Sequence, residues 1–337
     1  MLDRGLLTEV GHATLGDYVI DLSWSPDGSR LAAVTVEGAV FLFDVSGERA
    51  GARPVGQHVG GGNSLAWSAD GGEFATAGHD GLAKVWDGIS GEELCSLEAG
   101  HSWVGKVRYN PFRNELATAA GKQLKLWNSQ RAVFYESASH ASTIADIGWR
   151  PDGSGVAAAA YQGISLHVPG RRRDPRKYTW KGSSLALAWS PDGKYIATGE
   201  QDSTVHFWHM ISGRDAQMSG FPTKVLELSW SSKGQWLATS GGTSVCLWDC
   251  SGKGPEGRAP RELMAHSTRV TQVAFQPDGK LLASSDVEGF VVLWNPANHD
   301  KAIGARALSS TISCLRWTKG ARLAAGLHDG RVVILRV

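Results

Sequence analysis

Cysteine is scarce in this chain. Four residues among 337 are too few for a disulfide framework. Cys246 and Cys314 fall inside predicted strands, where small buried thiols of a reducing compartment are expected. No sign of charge dominates either. Lys and Arg number 34 against 33 Asp and Glu, a net charge of +1, so nothing draws the whole molecule toward nucleic acid, a membrane surface or an acidic ligand. Long apolar runs are also missing. The opening MLDRGLLTEVGHATLGDY has no apolar core long enough for a signal peptide, and no other run is long enough for a membrane helix. A cytoplasmic protein is expected. There is no phosphate-cradling loop, because Gly60-Gly61-Gly62 does not link a strand to a helix.

Glycine and tryptophan are abundant instead, 42 and 14 residues. They recur in one phrase: a short strand, a turn, a second short strand, and Trp with a polar neighbour. It reads LATSGGTSVCLWD at Leu237–Asp249, FATAGHDGLAKVWD at Phe74–Asp87, LATAAGKQLKLWN at Leu116–Asn128, IATGEQDSTVHFWH at Ile196–His209 and LASSDVEGFVVLWN at Leu282–Asn295. Weaker copies occupy Leu31–Asp44, Val156–Val168 and Leu323–Arg336, making eight. Each copy follows a strand that ends in an aromatic: Trp24, Trp67, Tyr109, Trp149, Trp189, Trp230, Phe275 or Trp317, spaced 43, 42, 40, 40, 41, 45 and 42 residues apart. That period, with four strands per unit, marks a propeller blade. The turn after the aromatic is SPDG or a variant: Pro presets one turn angle, Asp caps the turn and Gly takes the left-handed position.

The expected fold is all-β: one domain over residues 1–337, an eight-bladed propeller of four-stranded antiparallel blades, with seven blades as the alternative. We name the strands of each unit a, b, c and d from the channel outward. Gly5–Val10 reads as a lone strand, and the last unit ends without an outer partner. Closure by Leu6–Val10 as strand d of the last unit hides that open edge.

These motifs resemble the WD-repeat family over nearly the whole chain, and stand-alone bacterial WD-repeat proteins in particular. The resemblance implies a buried quartet in each blade: His before strand a, Ser or Thr on b, Asp in the b–c turn, and Trp on c. By sequence it is complete only in unit 2, as His58, Thr76, Asp80 and Trp86. In unit 7 His266, Ser284 and Trp294 are present with Glu288 in place of Asp; unit 3 offers His101, Thr118 and Trp127, and unit 5 offers Thr198, Asp202 and Trp208. A catalytic triad needs an exposed nucleophile and an oxyanion hole, which buried quartets lack.

The resemblance also implies partner binding at the top rim, where the residues just before strand a lie. Tyr18, Trp103, Lys224 and Arg269 take such positions, with Phe221 near by, and aromatic and Arg anchors around a concavity are what interface hot spots consist of. A second candidate patch lies on the bottom: Arg171, Arg172, Arg173, Arg176 and Lys177 in one c–d loop, with Tyr195 and Trp236 beginning neighbouring b strands. It suits an acidic protein segment better than nucleic acid, since no aromatics interleave along a groove. Three positions before each closing aromatic, a possible ring of the channel wall holds Asp21, Ser64, Lys106, Asp146, Ala186, Glu227, Gln272 and Cys314. An Asp146–Lys106 salt bridge is the bland reading there.

The leading expectation is a non-catalytic, monomeric protein-interaction scaffold without cofactor or membrane contact. Two rivals stay open. Some similar bacterial proteins are associated with metal-handling GTPases, and His79, His328 and Glu37 at b–c turns are the candidate surface ligands. The other rival is a propeller hydrolase.

Overall fold

The computed structural model describes residues 6–45, 51–170, 174–252 and 254–337. Every regular element among the described residues is a strand. Unit 2 displays the plan: Gly62–Trp67, Glu73–Gly78, Leu82–Asp87 and Glu93–Glu98 are strands a to d of one antiparallel sheet. Strand b is buried along its whole length, c alternates, and d is mostly exposed. Small side chains on b, Ala75 and Ala77, let neighbouring sheets approach face to face. Each strand a packs against the strand a of the next unit, round to the first. In the a–b turn of unit 1, the Ser25 hydroxyl and the Ser29 amide donate to Asp27, holding its carboxyl down to about 2, while Gly28 sits at φ +71°.

Among the described residues the separate sheets number seven, the alternative count, rather than the expected eight. Six have four strands and one has six. The physical reason is Arg176–Trp189, a single 14-residue strand. Its first half pairs with Val156–His167 as strand d of unit 4, and its second half pairs with Tyr195–Glu200 as strand a of unit 5. Gly16, Gly61 and Gly220 take positive φ at other joins between units, whereas Gly182 does not, so the strand runs on. All eight repeats therefore remain, two of them sharing one sheet. At the other seam, Thr8–Thr14 pairs antiparallel with Arg331–Arg336, Thr8 opposite Arg336 and Thr14 opposite Arg331. This strand starts and ends later than the expected Leu6–Val10, and Gly5 lies outside the described residues.

Adjacent units are fastened by the aromatics that end strand a. Each of the six Trp indoles donates to a strand-a carbonyl of the preceding unit: Trp24 to Arg316, Trp67 to Ser23, Trp149 to Arg108, Trp189 to Gly148, Trp230 to Ala188 and Trp317 to Ala274, at 2.9–3.1 Å. Tyr109 reaches Glu73 instead, at 2.6 Å, and Glu73 also pairs with Arg131. Side chains of strand a add bonds between units, Asp21 accepting from the Leu65 amide, Ser64 from Val107 and Asp146 from Leu187, each at 3.1 Å. Asp146 has Arg108 at 3.7 Å as its ion-pair partner, not the expected Lys106. Glu227, in the channel wall beside Gln272, is pushed up to about 7 because protein surrounds it, against the pull of Arg316.

The quartet is complete in two units, not one. In unit 2 His58 Nδ1 lies 3.0 Å from Asp80, its Nε2 lies 2.8 Å from the Thr76 hydroxyl, and the Trp86 indole donates to that hydroxyl at 2.8 Å. Unit 7 repeats this with His266, Ser284, Trp294 and Asp286 at 2.7–2.8 Å. Asp286 ends strand b and reaches the ring that Glu288 was expected to hold. In unit 3 His101 is exposed, leaving only the Trp127–Thr118 bond. In unit 5 the acid is Glu200 rather than Asp202, bonded to Thr198 and Ser184.

Two expectations follow for stability. Replacing Trp189 or Trp317 by Phe removes the donor from a carbonyl between units; a loss of about 1–3 kcal/mol, with the fold kept, is expected from denaturant midpoints. Burial also lowers the pKa of His58, His167, His206 and His266, in two quartet members against the opposing carboxylate. The unfolded chain then binds protons below about 6.5 that the native chain does not, so stability falls as pH drops from about 7. Glu227 has the opposite sign: its raised pKa makes the native chain the better proton binder between the ordinary carboxyl range and about 7. The Glu227→Gln chain is therefore expected to lose stability more steeply on acidification, read from denaturation midpoints between pH 8 and 5.

Candidate interaction face

Antiparallel order places the b–c turns and the joins before strand a on one face, the top, and the a–b and c–d turns on the other. On the top, Tyr18, Lys224 and Arg269 meet around a cavity of about 260 Å³ together with Thr223, Thr311 and His328. The Tyr18 ring packs on His328 with centroids 4.1 Å apart. Lys224 and Arg269 are exposed, and no carboxylate among the described residues pairs with either. Trp103 lies outside this cavity. It is 63% exposed and stacks on His79, with centroids 4.0 Å apart and planes within 11°. Phe221 is tucked beneath its own loop against Trp248 and the core of unit 6. Sequence reasoning missed Val59, Leu226 and Val287, exposed apolar side chains of the same face. They sit one or two residues from rim positions or in a b–c turn, so the repeat alignment pointed close to them.

The surface metal trio is not brought together. His79 uses both ring nitrogens, toward the Gly60 carbonyl at 2.7 Å and Asn63 Oδ1 at 3.0 Å, while His328 packs on Tyr18. Glu37 is held through its backbone amide by Asp17. Among the described residues no three of His, Cys, Asp and Glu are placed to hold one ion. All four cysteines are free thiols, and burial pushes Cys246 up to about 11 and Cys250 to about 12.

Of the bottom residues, Arg176, Tyr195 and Trp236 are engaged within the molecule. Arg171, Arg172 and Arg173 lie outside the described residues. Arg176 donates to the Met210 and Ile211 carbonyls of the next unit and lies over Tyr178. Lys177 lines a cavity beside His140. Tyr195 packs on Phe207 and His209, and Arg261 covers the Trp236 ring at 5.1 Å.

Comparison with known proteins agrees with this architecture. The family model described as WD domain, G-beta repeat matches residues 5–44, 56–87, 176–209, 216–249 and 257–295, more than half of the chain. The stretches left unmatched contain units 3, 4 and 8, whose quartets are broken. Cell division cycle 20.1, cofactor of APC complex, from Arabidopsis thaliana is 25% identical over 299 residues, covering 82% of this chain and 63% of that protein. WD repeat-containing protein slp1 from Schizosaccharomyces pombe is 23% identical over 299 residues, covering 85% and 60%. Telomerase protein component 1 from Mus musculus is 26% identical over 326 residues, covering 94% of this chain but 12% of that protein. The chain thus spans about three fifths of the first two relatives and a small part of the third. In fold it is similar to the crystal structure of the computationally designed Ika8 protein, with a TM-score of 0.83 at 18% identity over 98% of this chain and 99% of that one. The described residues contain no helix long and apolar enough to cross a membrane. With one family model matching more than half of a ring of repeated four-stranded antiparallel units, the chain belongs to the WD domain, G-beta repeat family.

Proposed function

We propose that the chain is a non-catalytic protein-interaction scaffold that holds a partner on the top face of the propeller. The observation that carries this reading is the pair of unpaired cations, Lys224 and Arg269, beside the Tyr18–His328 stack at the mouth of the channel. Exposed Trp103 and the apolar side chains Val59, Leu226 and Val287 extend the same surface. An acidic segment with an apolar or aromatic anchor fits such a face: the cations steer it in and the rings receive the anchor. Relatives named as cofactors of the APC complex support a role in assembly with other proteins. The His, Ser, Thr and Asp groups that a hydrolase would use bond one another inside the quartets of units 2 and 7.

The reading is tested by capture of a native partner. Trp103→Ala combined with Arg269→Ala is expected to weaken binding by about 30-fold or more, the scale of a lost hot spot, while circular dichroism and the unfolding midpoint stay near those of the parent. Phe112→Ala, on the opposite face, leaves capture unchanged. Affinity also falls as salt rises, through slower association. Undiminished capture by the double variant places the partner elsewhere.

A further inference from the structure

The join leading into unit 4 holds a cluster that the repeat does not explain. In units 2 and 7 this place is filled by histidine, hydroxyl, acid and indole. Unit 4 keeps the histidine, His140, and departs everywhere else: Ala158 stands where unit 2 has Thr76, Gln162 where it has Asp80, and His167 where it has Trp86. The smaller side chains leave a cavity of about 360 Å³, walled by His140, Ala158, Ser165, His167 and the opposed charges Asp174 and Lys177.

Three donor atoms meet at its wall. His140 Nε2 and His167 Nε2 are 3.2 Å apart, and Ser165 Oγ lies 3.1 Å from the first and 2.9 Å from the second. The triangle is nearly equilateral. Donors on one face of a tetrahedral zinc, with bonds of about 2.0–2.1 Å, stand about 3.3 Å apart. The far side of each ring is already held. His140 Nδ1 is 3.0 Å from the Lys122 carbonyl, which only an N–H can approach, so in the neutral ring Nε2 carries the lone pair. His167 Nδ1 is 2.8 Å from the Tyr135 hydroxyl. Such outer partners orient metal-binding imidazoles; the carbonyl also fixes the tautomer of His140, while the hydroxyl accepts either tautomer of His167. Two inward ring nitrogens this close are bridged either by one N–H of His167 or by a cation that both rings ligate.

We infer that unit 4 binds a divalent transition-metal ion of zinc-like preference through His140 Nε2, His167 Nε2 and Ser165 Oγ, its fourth position facing the cavity. The site is independent of the top-face reading, since none of its donors belongs to the proposed partner surface.

The test uses the full chain, stripped by chelator, with Zn²⁺ in calorimetry and Co²⁺ in visible absorption. One ion per chain and a tetrahedral Co²⁺ band are expected. His140→Ala or His167→Ala removes binding, and Tyr135→Phe weakens it about tenfold. His167→Trp, which restores the indole of the other units, also removes it, while His79→Ala and His328→Ala retain it. Absence of heat and of the band in the parent chain overturns the inference, as does uptake of one ion by the His140→Ala, His167→Ala double variant. If the histidine variants lose their fold, Ser165→Ala and Tyr135→Phe carry the test, and unchanged affinity in both overturns it.

Discussion

A ring of sheets survives only if each sheet meets the next without stranding a backbone polar group. Here the indole N–H at the end of strand a meets that demand. It donates backward to the preceding strand a at six of the joins between units. The side chain does two things at once: its apolar body fills the wedge between sheets, and its one donor satisfies a carbonyl there. Trp24 and Trp317 make this bond in the units nearest the chain ends, and the Trp24 bond itself crosses from unit 1 to unit 8. The seam closed by Thr8–Thr14 is therefore fastened at the axis as well as at the rim.

The quartet is a second, outer way of meeting the same demand. Where it is complete, as in units 2 and 7, four polar groups are buried at no cost in unsatisfied bonds and the space is filled. Where members are exchanged for smaller ones the result depends on which remain. Unit 5 substitutes Glu200 and Ser184 and stays packed. Unit 4 loses indole, hydroxyl and acid together, and the remaining histidine meets a second imidazole across a cavity. The same residue types that lock one blade give another an inward-facing set of nitrogen donors.

Much of the fold was legible because the repeat carries its own register. The closing aromatics mark the ends of strand a, and the SPDG turns mark the start of strand b, so element type and order followed from spacing. The sheet count did not, because whether Arg176–Trp189 breaks depends on the conformation of Gly182, and glycine itself permits either outcome. The acid of unit 7 was misread for a related reason: Asp286 and Glu288 are two residues apart, and only the path of the turn decides which carboxylate reaches His266. The unit 4 cluster was missed because it is defined by departures from the motif. His140 occupies a quartet position, but with Trp and Thr absent the pattern that would have flagged it is gone.

Folding puts the cations to two uses, and composition alone conceals this. On the bottom, arginines brace five of the eight joins: Arg53 donates to the Ile89 and Ser90 carbonyls, Arg113 to Gly153, Arg176 to Met210 and Ile211, Arg261 to Pro296, and Arg322 to Val45 and Gly28. The planar guanidinium suits this work, since its fork of donors can satisfy several turn carbonyls at once. Within the basic run proposed from the sequence as a binding patch, Arg176 thus holds two units together, while Arg171, Arg172 and Arg173 lie outside the described residues. Lys224 and Arg269 on the top have no such partners among the described residues. It is positive charge that closes no internal bond, set beside exposed aromatic and apolar side chains, that supports the proposed partner surface on the top face.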